Sequence, residues 1–278
     1  MKKFILHSIY FLLILVLVVH IRPLYLLYKD KYQETVAGNE IYYSLFKSKQ
    51  KKKVKKILLG DSVGNQLFSN KINNDTINSL ACNQSIAMVG QYLLLNNYIN
   101  AGNEVDTVYM LFSPLSFKNN LDQVYTYHYF LKPFYKEAYQ SFFTETVNKQ
   151  IHKVPYYNFC RYPIILTSNW APEFTSKDST SFSFLSPISV EYLQKIKELS
   201  IKHNFKLVIV PPPTSLNKKE LIEKMNKDEA NKTGFSEEFK NYFNNFIYLP
   251  DNNFTDGMHL TKPGVQVYHD YYRIKFIK

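Results

Sequence analysis

At 278 residues and 45% hydrophobic, the chain can bury one sizeable core, and 21% charged residues excludes a disordered polyelectrolyte. A net charge of +11 would suit nucleic acid, but no nucleic-acid-binding module is present, and many of the lysines cluster in the run 47–56. That run reads as a solvated stalk beside lipid headgroups, so a membrane and not a nucleic acid is the expected partner.

The N-terminus reads Met1-Lys2-Lys3 and is then apolar to about Ile21, broken only by His7, Ser8 and His20. The stretch through Leu27 is about 20 residues, the length that crosses a bilayer. A cleaved signal peptide is the rival, but Arg22-Pro23-Leu24-Tyr25 follows where a small-x-small cleavage site belongs. Residues 1–28 are therefore expected to be an uncleaved membrane anchor, with Tyr25 and Tyr28 at the interface. Charge bias points both ways on orientation. Lys2 and Lys3 lie before the span, whereas Arg22, Lys29, Lys31 and the lysine run lie after it. Counted literally, that bias keeps the C-terminal part cytoplasmic.

Residues 29–54 read as a polar, basic linker with some helical character at 32–46. From residue 55 short apolar runs alternate with amphipathic stretches, which is the pattern of an α/β fold with parallel strands. Strands are expected at 56–59, 76–80, 107–112, 206–210 and 246–249. Helices are expected at 89–100, 190–203, 218–231, 237–243 and 262–274. Between the third and fourth strands, residues 113–187 form a long insertion rich in aromatics, including Phe117, Tyr127, Phe130, Phe134, Tyr156, Phe159, Tyr162 and Trp170. A stretch this long should contain helices. Its aromatics form either a small core of their own or a cap whose tyrosines line a cleft.

Two cysteines, Cys82 and Cys160, are too few for a disulfide framework, and no Cys/His cluster has zinc spacing. Two buried thiols are expected, with one disulfide as the alternative in an exported domain. No metal and no organic cofactor is implied.

Two short segments carry possible chemistry. Ile57-Leu58-Leu59 leads into Gly60-Asp61-Ser62, which puts a hydroxyl where a buried strand turns into a helix. Asp256-Gly257-Met258-His259 puts a carboxylate three residues before an imidazole, close enough to orient it. An alcohol becomes a useful nucleophile only when a base takes its proton during attack. Each piece has an ordinary alternative. Ser62 could cap a helix, Asp256-Gly257 could be a plain turn, and His259 could be a hydrogen-bonded core histidine. His128, His152, His203 and His269 have no comparable partner pattern. Pro211-Pro212-Pro213 is expected to form a rigid rim to the same cleft.

In residues and order these segments resemble the SGNH/GDSL hydrolase superfamily over about residues 55–278. Gly60-Asp61-Ser62 resembles its first block. Asp256-x-x-His259 followed by Pro263-Gly264 resembles its last, and the segment from Leu80 to Tyr92, with Asn83 and Gly90, resembles, more weakly, its second. The resemblance implies a three-layer, flavodoxin-like α/β domain with a parallel sheet, in which Ser62 is the nucleophile, His259 the base and Asp256 its orienting partner. It also implies oxyanion donors at the Ser62 N–H, at Gly90 and at the Asn83 side chain. Strict alignment of the second block puts Met88 or Val89 at the position given to Gly90. The third block departs from the family: Ser113-Pro114-Leu115-Ser116 stands where Gly-x-Asn-Asp is usual, so Asn83, Ser113 or Ser116 would have to substitute. Losing such a donor costs about 2.7–4 kcal/mol of transition-state stabilisation.

Taken with the anchor, the resemblance implies a serine esterase or O-acyltransferase acting on ester groups, chiefly O-acetyl, of an envelope or capsular polysaccharide outside the cell. The alternative is a degenerate member that binds glycans or helps assemble them. The acyl group, the acceptor and the oligomeric state are not legible.

Overall fold

The computed structural model describes residues 1–176, 178–225 and 233–274. Four parallel strands form the main sheet: β1 (Lys56–Gly60), β2 (Asn78–Ser79), β3 (Thr107–Leu111) and β4 (Lys206–Val210), in the order β2-β1-β3-β4. Successive side chains of a strand point to opposite faces. Ile57 and Leu59 of β1 accordingly join Val108, Met110 and Ile209 in one apolar cluster, while Leu58 joins Leu111 and Val210 in another. A parallel sheet covered on both faces needs such near-continuous apolar strands.

Helices Ala87–Asn100 and Pro187–His203 pack on the first face, and Ser62–Leu67 and Lys262–Tyr272 on the second. Local chemistry sets their ends. Ser186 accepts a hydrogen bond from the Ser189 N–H ahead of Pro187, and Asn204 closes the same helix in the left-handed conformation. The expected helices at 89–100, 190–203, 237–243 and 262–274 appear within a few residues of those limits. Of 218–231, Lys219–Glu223 is helical, and 226–231 lies outside the described residues.

Strand limits differ more. β2 is short, although Leu80 N–H to Leu58 O (2.8 Å) and Cys82 N–H to Gly60 O (3.1 Å) carry its pairing onward. The expected strand at 246–249 shrinks to β6 (Tyr248–Leu249), which pairs with β5 (Thr214–Ser215) in a separate two-stranded parallel sheet. Pro211, Pro212 and Pro213 have no N–H to donate, so the β3–β4 ladder stops at Val210.

Two other expectations need correction. Residues 29–54 are not solvated throughout. The helical character expected at 32–46 appears, and helix Glu40–Ser48 buries Ile41, Tyr42 and Leu45 in the same cluster as the sheet, while Lys49, Lys51, Lys53 and Lys55 stay exposed. Lys47 is buried, donating to Ile72 O at 3.0 Å, and burial lowers its ammonium to about 8. The insertion's aromatics do not form a separate core. Tyr127, Phe130, Phe134 and Tyr139 merge into the sheet-face cluster, and Phe117 packs edge-on against Phe239 and Tyr242. Cys82 and Cys160 are free and buried, and burial pushes the Cys160 thiol up to about 12. Helix Lys2–Tyr28 is long and apolar enough to cross a membrane, a property it shares with signal sequences.

If 29–54 is part of the folded unit, Ile41→Ala should cost about 2–5 kcal/mol in denaturant unfolding, as for other buried large-to-small changes. A solvated stalk would lose no more than about 0.5 kcal/mol.

Candidate active site

β1 ends at Gly60, where a side chain would be crowded: an added Cβ would lie 3.0 Å from both Leu111 O and Ala81 Cβ. The chain therefore runs tight against β3 before turning into helix Ser62–Leu67. Asp61 caps that helix, its Oδ1 accepting from the N–H groups of Val63 (3.0 Å) and Gly64 (3.3 Å). Its Oδ2 accepts from the Ser113 N–H (2.7 Å) and the Ser116 hydroxyl (2.6 Å). Asp61 is 1% exposed, so its side chain is the buried joint between the end of β1 and the loop after β3. Ser62, one residue on, stays partly exposed, and its own N–H takes no part in the cap.

From the far end of the sequence, residues 256–259 form a tight turn that passes through Gly257 at φ +77°, a conformation that disfavours other residues. Asp256 Oδ1 accepts from the N–H groups of Met258 (3.0 Å) and His259 (2.7 Å). Its Oδ2 lies 2.7 Å from His259 Nδ1, and His259 Nε2 lies 2.8 Å from Ser62 Oγ. With the ring proton on Nδ1 donated to Asp256, Nε2 is free to accept the Ser62 hydroxyl. Hydroxyl, imidazole and carboxylate thus form one hydrogen-bonded chain between residues 197 positions apart. Partial burial pushes the Asp256 carboxyl up. Hydrogen bonds from the His259 N–H, the His259 ring and the Met258 N–H outweigh that and hold it at about 2, below its ordinary 3.8.

Gln66, which the sequence did not single out, ties the two halves together. Its side chain accepts from the Leu260 N–H (3.0 Å) and donates to Leu260 O (3.4 Å), fixing the residue after His259 to the helix that begins with Ser62. The available signal was spacing: Gln66 lies four residues after Ser62, on the same helix face. Asp61 was visible only as a member of its motif, because its partners at Ser113 and Ser116 are tertiary.

The expected oxyanion donors fare unequally. Asn83 follows the last pairing of β2 with β1 and so lies beside the Asp61–Ser62 turn. Its Oδ1 accepts from the Ser85 N–H at 2.9 Å, while its amide nitrogen has no partner among the described residues. Gly90 is not at the site's edge. It is buried as the fourth residue of helix Ala87–Asn100, where its N–H belongs to the helical ladder, and an added Cβ would collide with Ile86. Met88 and Val89 sit in that helix's first turn, where N–H groups have no intrahelical acceptor. Ser116 spends its hydroxyl on Asp61. Ser113 instead lines a narrow cleft with Val63, Leu115, Pro212, Pro213 and Met258, which places the proline run at its rim. Among the described residues, no group of three or more His, Cys, Asp or Glu could hold a metal ion.

Asp256 has a depressed folded-state value, so its contribution to stability is complete above about pH 4 and is lost as pH falls through about 2. Asp256→Asn should remove that dependence: thermal melts between those limits should show a smaller acid-induced fall in Tm for the variant than for the wild type.

No family model matches the chain, and no curated protein matches it. Among solved structures it is similar to a Streptococcus pneumonia protein provisionally described as a platelet activating factor. The identity is 12% and the TM-score 0.37, with 95% of this chain and 99% of that chain covered. At that distance, function has to be read from the site's own geometry.

Proposed function

We propose that the chain is a serine esterase or O-acyltransferase of the SGNH type, acting on O-acetyl groups of an envelope or capsular polysaccharide. The observation that carries this is the unbroken chain from Ser62 Oγ through His259 to Asp256, at 2.8 and 2.7 Å. In the proposed reaction Ser62 Oγ attacks the ester carbonyl while His259 Nε2 takes its proton. Asp256 stabilises the resulting imidazolium. The tetrahedral oxyanion would be held by the Ser62 N–H, a first-turn N–H at Met88 or Val89, and the uncommitted Asn83 amide. His259 then returns the proton to the departing alcohol, and water or a sugar hydroxyl releases the acyl group from Ser62.

Position supports the same reading. Ser62 follows the C-terminal end of β1, the edge where open α/β sheets bind ligands, and the His259–Ser62 contact brings the Asp256–His259 turn to it. The strand order β2-β1-β3-β4 supports this reading, because a flavodoxin-like sheet starts with the same order. A narrow, mostly apolar cleft is lined by Val63 and Met258, the residues next in sequence to Ser62 and His259, and a small acyl group such as acetyl would suit it if it opens onto Ser62. If helix Lys2–Tyr28 is a retained anchor, residues 55–278 would work at the outer face of the membrane, within reach of envelope glycans.

One observation favours the second reading, a glycan-binding or assembly component without activity. The loop after β3 spends the Ser113 N–H and the Ser116 hydroxyl on Asp61 and supplies no asparagine. That reading requires the wild type to be inert towards acetyl esters.

Against a small acetyl ester, Ser62→Ala and His259→Ala should each lower kcat by about 10³-fold or more with the circular dichroism spectrum unchanged. Undiminished turnover in Ser62→Ala would retire the mechanism. Gln66→Ala should lower kcat about tenfold with KM unchanged, because it loosens His259 and leaves substrate contacts alone.

A further inference from the structure

Helix Lys2–Tyr28 does not stand clear of the rest of the chain. Its last turns pack against helix Pro163–Leu166 of the insertion, with Pro23 buried. The two meet around a cavity of about 370 Å³ lined by Arg22, Pro23, Leu26, Ile164 and Asn169 among others. Next to this junction, polar contacts outside the helix tie the insertion to residue 37 and to itself. Asn169 Oδ1 accepts from the Ala37 N–H at 2.6 Å, and the buried Lys132 ammonium donates to Ser168 O at 2.6 Å.

Beside this junction lie four aromatic side chains that face outward. Tyr156, Phe159, Tyr162 and Trp170 are 60%, 42%, 57% and 41% exposed. They form one continuous patch, with ring centroids 5.3 Å apart for Tyr156–Phe159, 5.8 Å for Phe159–Tyr162 and 6.3 Å for Tyr156–Trp170. Tyr162 caps the very helix that touches the apolar one.

The level of this patch relative to a bilayer follows from the helix. Its apolar run from Phe4 to Ile21 would span about 27 Å at 1.5 Å per residue, close to the roughly 30 Å of a hydrocarbon core. Arg22 then marks the boundary, and Tyr25 and Tyr28 are exposed just beyond it. The insertion docks at that height, next to Arg22 and Leu26. Aromatic rings with polar tips favour the headgroup region, where the body is sheltered and the tip stays wet. Arg161, stacked on Tyr135 at 4.2 Å, supplies a cation in the same segment for lipid phosphates.

We propose that the Tyr156, Phe159, Tyr162 and Trp170 face of the insertion lies in the headgroup layer of the same bilayer that helix Lys2–Tyr28 crosses. The folded domain is then seated flush on the membrane at two points, the helix and the aromatic patch. The inference rests on the helix spanning the bilayer and is independent of the esterase reading.

Trp170 is the single tryptophan of the chain, so the molecule carries its own probe. The full-length protein is reconstituted into phosphatidylcholine–phosphatidylglycerol vesicles, and its fluorescence is quenched with lipids bearing a nitroxide at the headgroup or deep in the acyl chain. The expected result is headgroup quenching about threefold or more stronger than deep quenching. Tyr156→Ser/Tyr162→Ser should weaken the headgroup quenching while the chain stays in the membrane. Quenching by aqueous iodide with none by either lipid would overturn the proposal. So would emission that shifts with protein-to-lipid ratio and not with labelled lipid, because a second copy would then cover the patch. Release of the chain by alkaline carbonate would instead sink the spanning helix on which the proposal stands, and is read before any quenching is measured.

Discussion

A carboxyl group taken out of water at the end of a strand must be supplied with donors, and Asp61 is the group on which this structure turns. It is 1% exposed and accepts four hydrogen bonds: two from the first turn of the following helix, one from the Ser113 N–H and one from the Ser116 hydroxyl. Left without those partners, a buried carboxyl would cost several kcal/mol. The same four bonds fix the end of β1, the start of helix Ser62–Leu67 and the loop after β3 with respect to one another. Ser62 inherits its position from that joint, and among the described residues its hydroxyl is held by the imidazole of His259.

The second half of the site is assembled from the C-terminal segment by a similar device on a smaller scale. Asp256 organises its own turn by accepting two backbone N–H groups with one oxygen, which leaves the other for the His259 ring. The bridge Phe254–Leu260 and the Gln66–Leu260 pair then fasten the turn to the body of the domain. Each catalytic candidate is thus positioned by a neighbour that never touches substrate. Preorganisation of this kind is what lets a weak nucleophile act, because the geometry is settled before the substrate arrives. In the loop after β3, the Ser113 N–H and the Ser116 hydroxyl are committed to Asp61.

What could be read in the sequence follows how local each signal is. Ser62, Asp256 and His259 were legible because strand-to-helix turns and a three-residue Asp–His spacing are short-range patterns. The alternation of strands and helices was legible because both faces of the sheet are covered and the apolar runs are correspondingly unbroken. The helical character at 32–46 was legible but its burial was not, because lysines are frequent in residues 29–54, yet Ile41, Tyr42 and Leu45 share one side of a helix and bury there. Gly90 was misplaced because a glycine near Asn83 invites alignment, whereas here it serves close packing on Ile86 inside a helix. Gln66 offered only its four-residue spacing from Ser62, and the partners that make Asp61 a joint had no local signature, since their work is done across tens of residues. The aromatics of the insertion were legible as a group but not in their division, with most joining the sheet core and a few left facing outward.

The central claim is that Ser62 Oγ is a nucleophile made reactive by His259. Its most direct measurement is labelling of the full-length protein with a fluorophosphonate, followed by peptide mass spectrometry. The account predicts a single adduct on the peptide carrying Ser62, lost in His259→Ala although the fold survives. A wild-type protein that stays unlabelled at high probe concentration, or one modified at another serine, would contradict it.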